Sequence, residues 1–589
     1  MTVATGAEGV RWDLAPLAPS EPAMRERLEA AVDDASAFVE RWPVETIEAT
    51  DPEALAELLR ELASLRAARD EVAEWSLLLQ WTDAENPATQ DIGAWVEERL
   101  PRIDEALRHF ELAWAALPDE RAESIADDEQ VASDRHYLRS IRRFAPYMLS
   151  PAEERVLAAR EASANTAWRS LRDRTLGALA TEFDDGAGPR EWSLSELEAA
   201  RRNNTDRDVR RRSAAAVRDL VEPVQPVLAQ CYDAVVADRL AIDGLRGHND
   251  PMAARNLENE IDVDVVESLV SAAEAHRDLG ARWYAAKARL LGIDRLETYD
   301  LAVGAVESPP LPWEDARQIA VDGFTSLSPE LGAEAERFFA EHRVDAEIRR
   351  GKPYGAFCVQ PSTRVPGFVL TNWSGEVGGL SALSHELGHG LHFALAGRAQ
   401  SEHSFKAGLT ISEIPSTFAE LALVDQLLEE GSPLARSALV NELDQMVAVA
   451  FMATAFVRFE QRTYGARAEG QALTPERLSD LCSAAVAEAY DGVGDELGIL
   501  PIGWALFPHF VHERFYMYAY VFALLIAAAL VRRSREPGFA DRYTEFLARG
   551  GSGSPEELLA IVGVDLGAPT VWDDGFALIA SWLDAIEQD

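Results

Sequence analysis

His385-Glu386-Leu387-Gly388-His389, the sequence HELGH, lies within an apolar run that has the residue spacing of an α-helix. Residues four positions apart on a helix lie on the same face, so the two imidazoles can bind a single metal ion. Glu386 would then lie beside them as a candidate general base. The spacing therefore predicts a zinc site of the kind found in metal-dependent peptidases.

The surroundings of HELGH favour this interpretation over a chance match. Six of the eleven histidines in the chain lie between residues 385 and 512. The motif also follows a β-prone run, GFVLTNW, at residues 367–373. We therefore interpret HELGH as a functional site.

HELGH alone does not complete a catalytic zinc site, which usually has three protein ligands and an open position for water. The metzincin continuation is excluded, because His392 stands where that pattern has glycine and Leu395 where it has the third histidine. The remaining candidates are Glu413 and Glu420, which are seven residues apart and can share one helical face. His392 itself can be either a ligand or a residue that supports the ligands.

Gly388 and Gly390 are unusual within a predicted helix. Each glycine disfavours a helix by about 1 kcal/mol relative to alanine. We therefore expect this helix to pack closely against a strand or against the backbone of a substrate.

The charge of the chain excludes two classes of partner. The sequence has 56 Lys and Arg residues against 100 Asp and Glu residues, which gives a formal net charge of −44. Nucleic acids and anionic membranes both require a basic surface on the protein that binds them. We therefore expect neither of them as a partner.

Cysteine spacing and the N-terminal sequence favour a cytoplasmic protein. Cys231, Cys358 and Cys482 form no CxxC pair and no disulfide framework, which suits a reducing compartment. Residues 1–8 contain neither a basic nor an apolar segment, so we expect no secretory signal. The apolar run at residues 516–531 is short and contains tyrosines, which favours a buried core helix over a membrane span.

Most of the chain has helical periodicity. From about Met24 to Leu179, apolar residues recur three and four positions apart. Residues 184–189, DDGAGP, interrupt this pattern and form either a domain boundary or a turn. We expect two regions, an N-terminal helical region at residues 1–185 and a catalytic region at residues 186–589.

Strand signals are few and lie mainly just before HELGH. Two short β-prone runs, at residues 356–359 and 368–372, are separated by a turn-forming segment. We therefore expect a small β-sheet beside the HELGH helix.

The motifs around and beyond HELGH resemble those of the oligoendopeptidase F family, relatives of thimet oligopeptidase among the zinc metallopeptidases. The resemblance extends over most of the chain. It rests on HELGH with His392 and on the motifs LRGH (245–248), YDL (299–301), GKPYGA (351–356), NWSG (372–375), EIPST (413–417), PHF (508–510) and FYMYAY (515–520).

This resemblance implies a mainly α-helical, two-part peptidase that encloses a channel and has a small β-sheet next to the HELGH helix. It implies one zinc ion per chain, bound by His385, His389 and Glu413. Glu386 would be the general base, and Glu420 would support the ligands from behind.

The resemblance also assigns roles near the C-terminal end of the chain. His509 would contact the substrate. Tyr518, with Tyr516 as a second candidate, would stabilise the charge that develops on the scissile carbonyl. The alternative for these tyrosines is that they only open a core helix.

The activity implied is that of a zinc metalloendopeptidase acting on short, unstructured oligopeptides. The chain would be a monomer or a weak homo-oligomer. Two alternatives remain, a catalytically silent peptide-binding protein with the same fold and a helical protein that serves only as an interaction scaffold.

Overall fold

The computed structural model describes residues 5–588 and is mainly α-helical, as predicted. Residues 1–4, part of the stretch in which we expect no secretory signal, lie outside the described residues. In chain order the α-helices are α1 (Glu21–Arg41), α2 (Val44–Ala49), α3 (Pro52–Thr82), α4 (Pro87–Glu97), α5 (Leu100–Ala115), α6 (Asp119–Ala126), α7 (Arg135–Arg143), α8 (Pro151–Glu161), α9 (Asn165–Gly177), α10 (Leu194–Asn203), α11 (Arg207–Val221), α12 (Gln225–Arg246), α13 (Ala253–Asn259), α14 (Val263–Ala275), α15 (Asp278–Leu291), α16 (Trp313–Leu327), α17 (Pro329–Ala340), α18 (Val377–Ala399), α19 (Leu409–Glu429), α20 (Ala435–Val447), α21 (Thr454–Ala468), α22 (Pro475–Val486), α23 (Gly503–Leu506), α24 (His509–His512), α25 (Met517–Arg533), α26 (Phe539–Arg549), α27 (Pro555–Ile561) and α28 (Asp573–Gln588).

The strands form two small sheets. β1 (Ala180–Phe183) and β2 (Arg190–Ser193) make an antiparallel hairpin. In the second sheet β5 (Phe368–Leu370) is central, parallel to β3 (Val344–Asp345) and antiparallel to β4 (Phe357–Val359). The prediction of a small sheet from the two β-prone runs is confirmed, whereas β3 lies in a segment for which no strand was predicted.

The chain divides into two compact units, each built from three separate segments. The first unit comprises Met1–Pro146, Ser308–Ala438 and Leu530–Leu566. The second comprises Tyr147–Glu307, Leu439–Ala529 and Gly567–Asp589. The turn at residues 184–189 connects β1 to β2 inside the second unit, and the division at residue 185 remains a prediction about functional domains.

In the first unit, the periodic leucines of the sequence form the core of the N-terminal helices. Asp51 caps α3 by accepting a hydrogen bond from the backbone N–H of Ala54. One face of this helix is then buried against α1 and α5, as its three- and four-residue spacing predicts. The buried leucines of α3 include Leu55, Leu58, Leu59, Leu62 and Leu65.

The sheet of the first unit supports the helix that carries HELGH. All three residues of β5 are fully buried, and α18 packs against both β4 and β5. α18 also packs extensively against α19, which carries Glu413 and Glu420. The two predicted halves of the site therefore lie on adjacent helices.

Two strongly apolar helical stretches are largely buried in the protein. Residues 521–531 of α25 are all buried, as predicted for a core helix. The continuous helical stretch Ala435–Ala468 is long and apolar enough to cross a membrane, but 67% of its most apolar window is buried. Such burial is equally typical of a core helix, so length and composition alone are weak evidence for a membrane span.

Candidate metal centre

Close packing of α18 and α19 brings the predicted ligands to one place. A Cβ atom at Gly388 would lie 2.5 Å from the carbonyl oxygen of Pro415 and 2.7 Å from Cα of Ser416. A Cβ atom at Gly390 would lie 2.5 Å from the ring of Phe338. The expectation of close packing is therefore correct, but Gly388 contacts the backbone of a helix rather than a strand or a substrate.

The side chains of His385, His389 and Glu413 converge. Their candidate ligand atoms all lie within 4.8 Å of one another. Nε2 of each histidine lies 3.6 Å from Oε2 of Glu413. Two atoms bonded to one zinc ion at about 2.1 Å in tetrahedral geometry are about 3.4 Å apart. The spacing and the donor types of this trio therefore fit a zinc ion.

Glu420 contacts His385 at Nδ1, the ring nitrogen that does not face Glu413. The Glu420 carboxylate accepts hydrogen bonds from Nδ1 of His385 and, at 3.1 Å, from the hydroxyl of Ser381. A carboxylate on the second ring nitrogen is the usual partner of a metal-binding histidine, because it fixes the tautomer and orients the ring. Glu420 thus occupies the position of a supporting residue, and Glu413 that of the candidate third ligand.

The site is strongly negative. Burial alone would lower the pKa of His385, but the carboxylates of Glu420, Glu386 and Glu413 outweigh it and raise that pKa to about 10. Burial raises the pKa of Glu386, whose side chain is only 6% exposed, and the two neighbouring histidines oppose that rise. Three carboxylates around two imidazoles provide the electrostatic environment that a divalent cation requires.

His392 is not part of this trio. Its ring is fully buried between those of Phe393 and Phe546, at centroid distances of 5.9 and 6.3 Å. Neither ring nitrogen has a hydrogen-bond partner, and burial, aided by His389, lowers the pKa of His392 to about 3. His392 is therefore a neutral packing residue of the α18 core.

The predicted substrate-contacting residues belong to the second unit. The ring of His509 lies 5.3 Å from that of Tyr516 and 6.5 Å from that of Tyr520. His509 and Tyr516 are partly exposed, whereas Tyr518 is completely buried. The hydroxyl of Tyr518 accepts a hydrogen bond of 2.8 Å from the amide of Asn259. Tyr516 and Tyr520, but not Tyr518, thus share an aromatic cluster with His509.

The segment between His509 and Tyr516 is held by the buried side chains of Arg239 and Glu460. Arg239 donates to the carbonyl oxygens of Phe510, Val511 and His512. Both carboxylate oxygens of Glu460 accept from the backbone N–H of Phe515, at 3.0 and 3.1 Å. Phe515 has a φ of 51°, a left-handed conformation that side-chain-bearing residues rarely adopt. This backbone is fixed by contacts from distant parts of the sequence.

Sequence reasoning missed several of these residues. Ser381 precedes His385 by one helical turn, so the i, i+4 rule applied backwards from HELGH would have found it. Arg239, Glu460 and Asn259 lie 55 to 273 residues from the groups they bind. No local pattern indicates such contacts.

Two models of known protein families match this chain. The model of peptidase family M3 matches residues 324–578, a range that includes both the candidate metal-ligand trio and the His509 cluster. The model described as oligopeptidase F matches residues 114–180. Both matches agree with the resemblance seen in the sequence motifs.

Curated relatives carry related names. An oligoendopeptidase F homolog of Lactococcus lactis is 27% identical over 388 residues, 65% of this chain and 64% of the relative. Oligopeptidase PepF of Bacillus subtilis is 24% identical over 483 residues, 80% of this chain and 71% of the relative. The match thus spans just under two thirds of the Lactococcus protein.

Solved structures share the fold over almost the whole chain. A crystal structure of a presumed peptidase from Chlamydophila abortus has a TM-score of 0.83 and 22% identity, covering 100% of this chain and 98% of that one. Oligoendopeptidase-F from Enterococcus faecium has a TM-score of 0.70 and 20% identity, covering 96% and 97%. At these identities the likeness concerns the fold.

Proposed function

The chain belongs to peptidase family M3, in its oligoendopeptidase F branch, and we propose that it is a zinc-dependent endopeptidase that cleaves short, unstructured oligopeptides. The observation that carries the proposal is the convergence of Nε2 of His385, Nε2 of His389 and the carboxylate of Glu413. An oligopeptide substrate class agrees with the names of the relatives.

His385, His389 and Glu413 would hold the single zinc ion of the chain. When bound, zinc supplies Lewis acidity, which polarises a carbonyl and makes water a better nucleophile near neutral pH. Glu420 accepts a hydrogen bond from Nδ1 of His385, so Nε2 is the nitrogen that would lose its hydrogen and donate a lone pair to the metal.

Glu386 is the proposed general base. It follows the first candidate ligand directly and interacts electrostatically with both histidines and Glu413, so its carboxylate would be placed to take a proton from the attacking water. The same carboxyl group then returns the proton to the leaving amine. Because burial raises its pKa, Glu386 accepts a proton more readily than an exposed glutamate.

The remaining roles concern the second unit. His509 is proposed to contact the substrate, and Tyr518 or Tyr516 to donate a hydrogen bond to the developing oxyanion. The exposure of Tyr516 beside His509 supports Tyr516 for this role. The hydroxyl of Tyr518 accepts its bond from Asn259 and keeps its own hydrogen to donate, but it is completely buried and would first have to become accessible to a substrate.

We also propose a cellular compartment, an oligomeric state and a class of partner. The protein would act in the cytoplasm, as a monomer or weak homo-oligomer, on peptides and not on nucleic acid or membranes. The net charge of −44 and three cysteines without a disulfide support this assignment.

A peptide library tests the proposal. Purified protein is first analysed for metal content and then incubated with defined oligopeptides, with and without a chelator, and products are identified by mass spectrometry. We expect about one zinc per chain and internal cleavage that the chelator abolishes. Stoichiometric zinc without cleavage of any peptide would instead favour a catalytically silent peptide-binding protein.

A further inference from the structure

A cavity lies within the first unit, between α16 and the two helices that carry the candidate metal centre. Its volume is about 310 Å³, at the lower end of the range typical of small-molecule sites. Its walls come from α16, α18, α19 and the two residues that follow α25. The lining is apolar at Ala320, Phe324, Leu327, Phe418, Ala419, Ala422 and Leu423.

This cavity is distinct from the metal centre. Ala422 lies nine residues after Glu413 in α19, which at about 100° per residue is half a turn around the helix axis. Neither Glu413, Glu420 nor the two histidine ligands line the cavity. On α19, the candidate ligand Glu413 and the cavity residue Ala422 therefore lie on opposite sides of the helix.

Ser384 contributes a hydroxyl without a partner. Ser384 is one of the residues that line the cavity, it is only 2% exposed, and its Oγ forms no hydrogen bond in the structure. A buried hydroxyl that is left unpaired is unfavourable, and such groups are rare in folded proteins. A ligand that offers a hydrogen-bonding group at this depth would remove the deficit.

All but one of the charged residues in the lining are acidic. The lining includes the carboxylates of Asp425, Glu429 and Glu430 and a single guanidinium, that of Arg535. Arg535 forms ion pairs with both Asp425 and Glu429. Glu430 accepts a hydrogen bond of 2.7 Å from Gln426. With three carboxylates against one cation, this part of the cavity favours a positively charged group.

We propose that this cavity binds a small amphiphilic amine, with its ammonium group near the acidic residues, its apolar body against Phe418 and Ala422, and a hydroxyl near Ser384. The chemical class is that of a hydroxyaryl- or hydroxyalkyl-amine. The proposal does not depend on peptidase activity, because it rests on the cavity and its lining alone.

Isothermal titration calorimetry on the zinc-loaded full chain tests the proposal with three related probes. Tyramine carries the amine, the ring and the hydroxyl. Phenethylamine lacks the hydroxyl, and 3-(4-hydroxyphenyl)propionate replaces the amine with a carboxylate. We expect tyramine to bind, phenethylamine to bind about tenfold more weakly and the propionate not to bind. No binding of tyramine, or equal binding of the propionate, would overturn the proposal.

Two variants localise the binding. Ser384→Ala should abolish the advantage of tyramine over phenethylamine, and Ala422→Phe should fill the cavity and abolish binding of both amines. Thermal unfolding and zinc content confirm that each variant is folded, and Ala422→Leu replaces Ala422→Phe if the latter does not fold. Tyramine binding that is unchanged in both the Ser384 variant and the folded Ala422 variant would contradict the assignment to this cavity.

Discussion

Nδ1 of His385 donates a hydrogen bond to Glu420, and this contact leaves Nε2 of the same ring facing Glu413. A carboxylate that accepts a hydrogen bond from a metal-binding histidine fixes the tautomer and the orientation of that ring. Glu420→Ala should therefore weaken zinc binding about 10- to 100-fold. Competition with a chromophoric chelator measures the affinity. Glu376→Gln, at an exposed residue just before α18, is the control. An unchanged affinity in Glu420→Ala would contradict the supporting role.

Glu413 and Glu420 are distinguished by comparing their alanine variants. Glu413 lies 3.6 Å from both histidine Nε2 atoms, whereas Glu420 contacts Nδ1. Removing a ligand should affect affinity more than removing its support, so Glu413→Ala should retain less zinc than Glu420→Ala. Metal analysis after dialysis measures this difference. The opposite order would make Glu420 the ligand.

Gly388→Ala tests the contact between α18 and α19. The added methyl group would meet the backbone at Pro415 and Ser416, which cannot move as a flexible side chain can. We expect a loss of stability of about 1–3 kcal/mol, as for other overpacked sites, together with weaker zinc binding. Thermal unfolding and zinc titration measure these effects.

Gly465→Ala is the matched control for this substitution. Gly465 lies inside α21, and a Cβ there would meet no atom within 4 Å. The helix preference of alanine should then stabilise the protein by about 1 kcal/mol. Similar melting temperatures for Gly388→Ala and the wild type would show that the helices have more room than the structure indicates.

Burial of His392 should make the stability of the folded protein depend on pH. In the unfolded chain the pKa of this histidine is about 6.5. In the folded protein the pKa is lowered to about 3, mainly by burial and to a smaller extent by the neighbouring His389. Between these values the unfolded state binds more protons, so the free energy of unfolding falls as the pH falls. For this one group the slope is about 1.4 kcal/mol per pH unit.

His392→Phe isolates this contribution, because phenylalanine retains a ring between Phe393 and Phe546. Unfolding of the zinc-free variant and wild type is compared at pH 7 and pH 5. The variant should gain stability relative to the wild type as the pH is lowered. A difference between the two proteins that stays constant with pH would mean that His392 takes up its proton in the folded state.

We expect Glu460 to stabilise the segment that joins His509 to Tyr516. Glu460→Ala would leave the buried N–H of Phe515 without its partner, at a cost of about 1–3 kcal/mol. Glu460→Gln keeps one acceptor oxygen and should have the smaller effect. Thermal unfolding and hydrogen exchange at the Phe515 amide measure both. Unchanged protection of that amide in Glu460→Ala would contradict the contact.

The sequence predicts the local parts of this structure well. The i, i+4 spacing of His385 and His389, the period of the α3 leucines and the β-prone runs before HELGH all lead to the elements observed. The residue pattern alone did not choose between Glu413 and Glu420, because they share a helical face and only packing of α19 against α18 separates their roles. The family resemblance selected Glu413, which the structure brings to both histidines.

Long-range contacts account for what the sequence does not predict. The two compact units are each built from three separate segments, so no single composition break marks them. Ser384 and Ala422 look like ordinary helix residues in the sequence, and only the spacing between α16, α18 and α19 opens a cavity beside them. The same is true of Glu460, whose partner Phe515 lies 55 residues away.

The central claim is that Glu386 acts as general base beside a zinc ion held by His385, His389 and Glu413. The most direct test is the kcat/KM of Glu386→Gln for one cleaved oligopeptide, at a zinc content equal to that of the wild type. We expect a loss of about 100-fold or more with zinc fully retained, as is typical when general acid–base catalysis is removed. Activity within about threefold of the wild type at equal zinc content would contradict it.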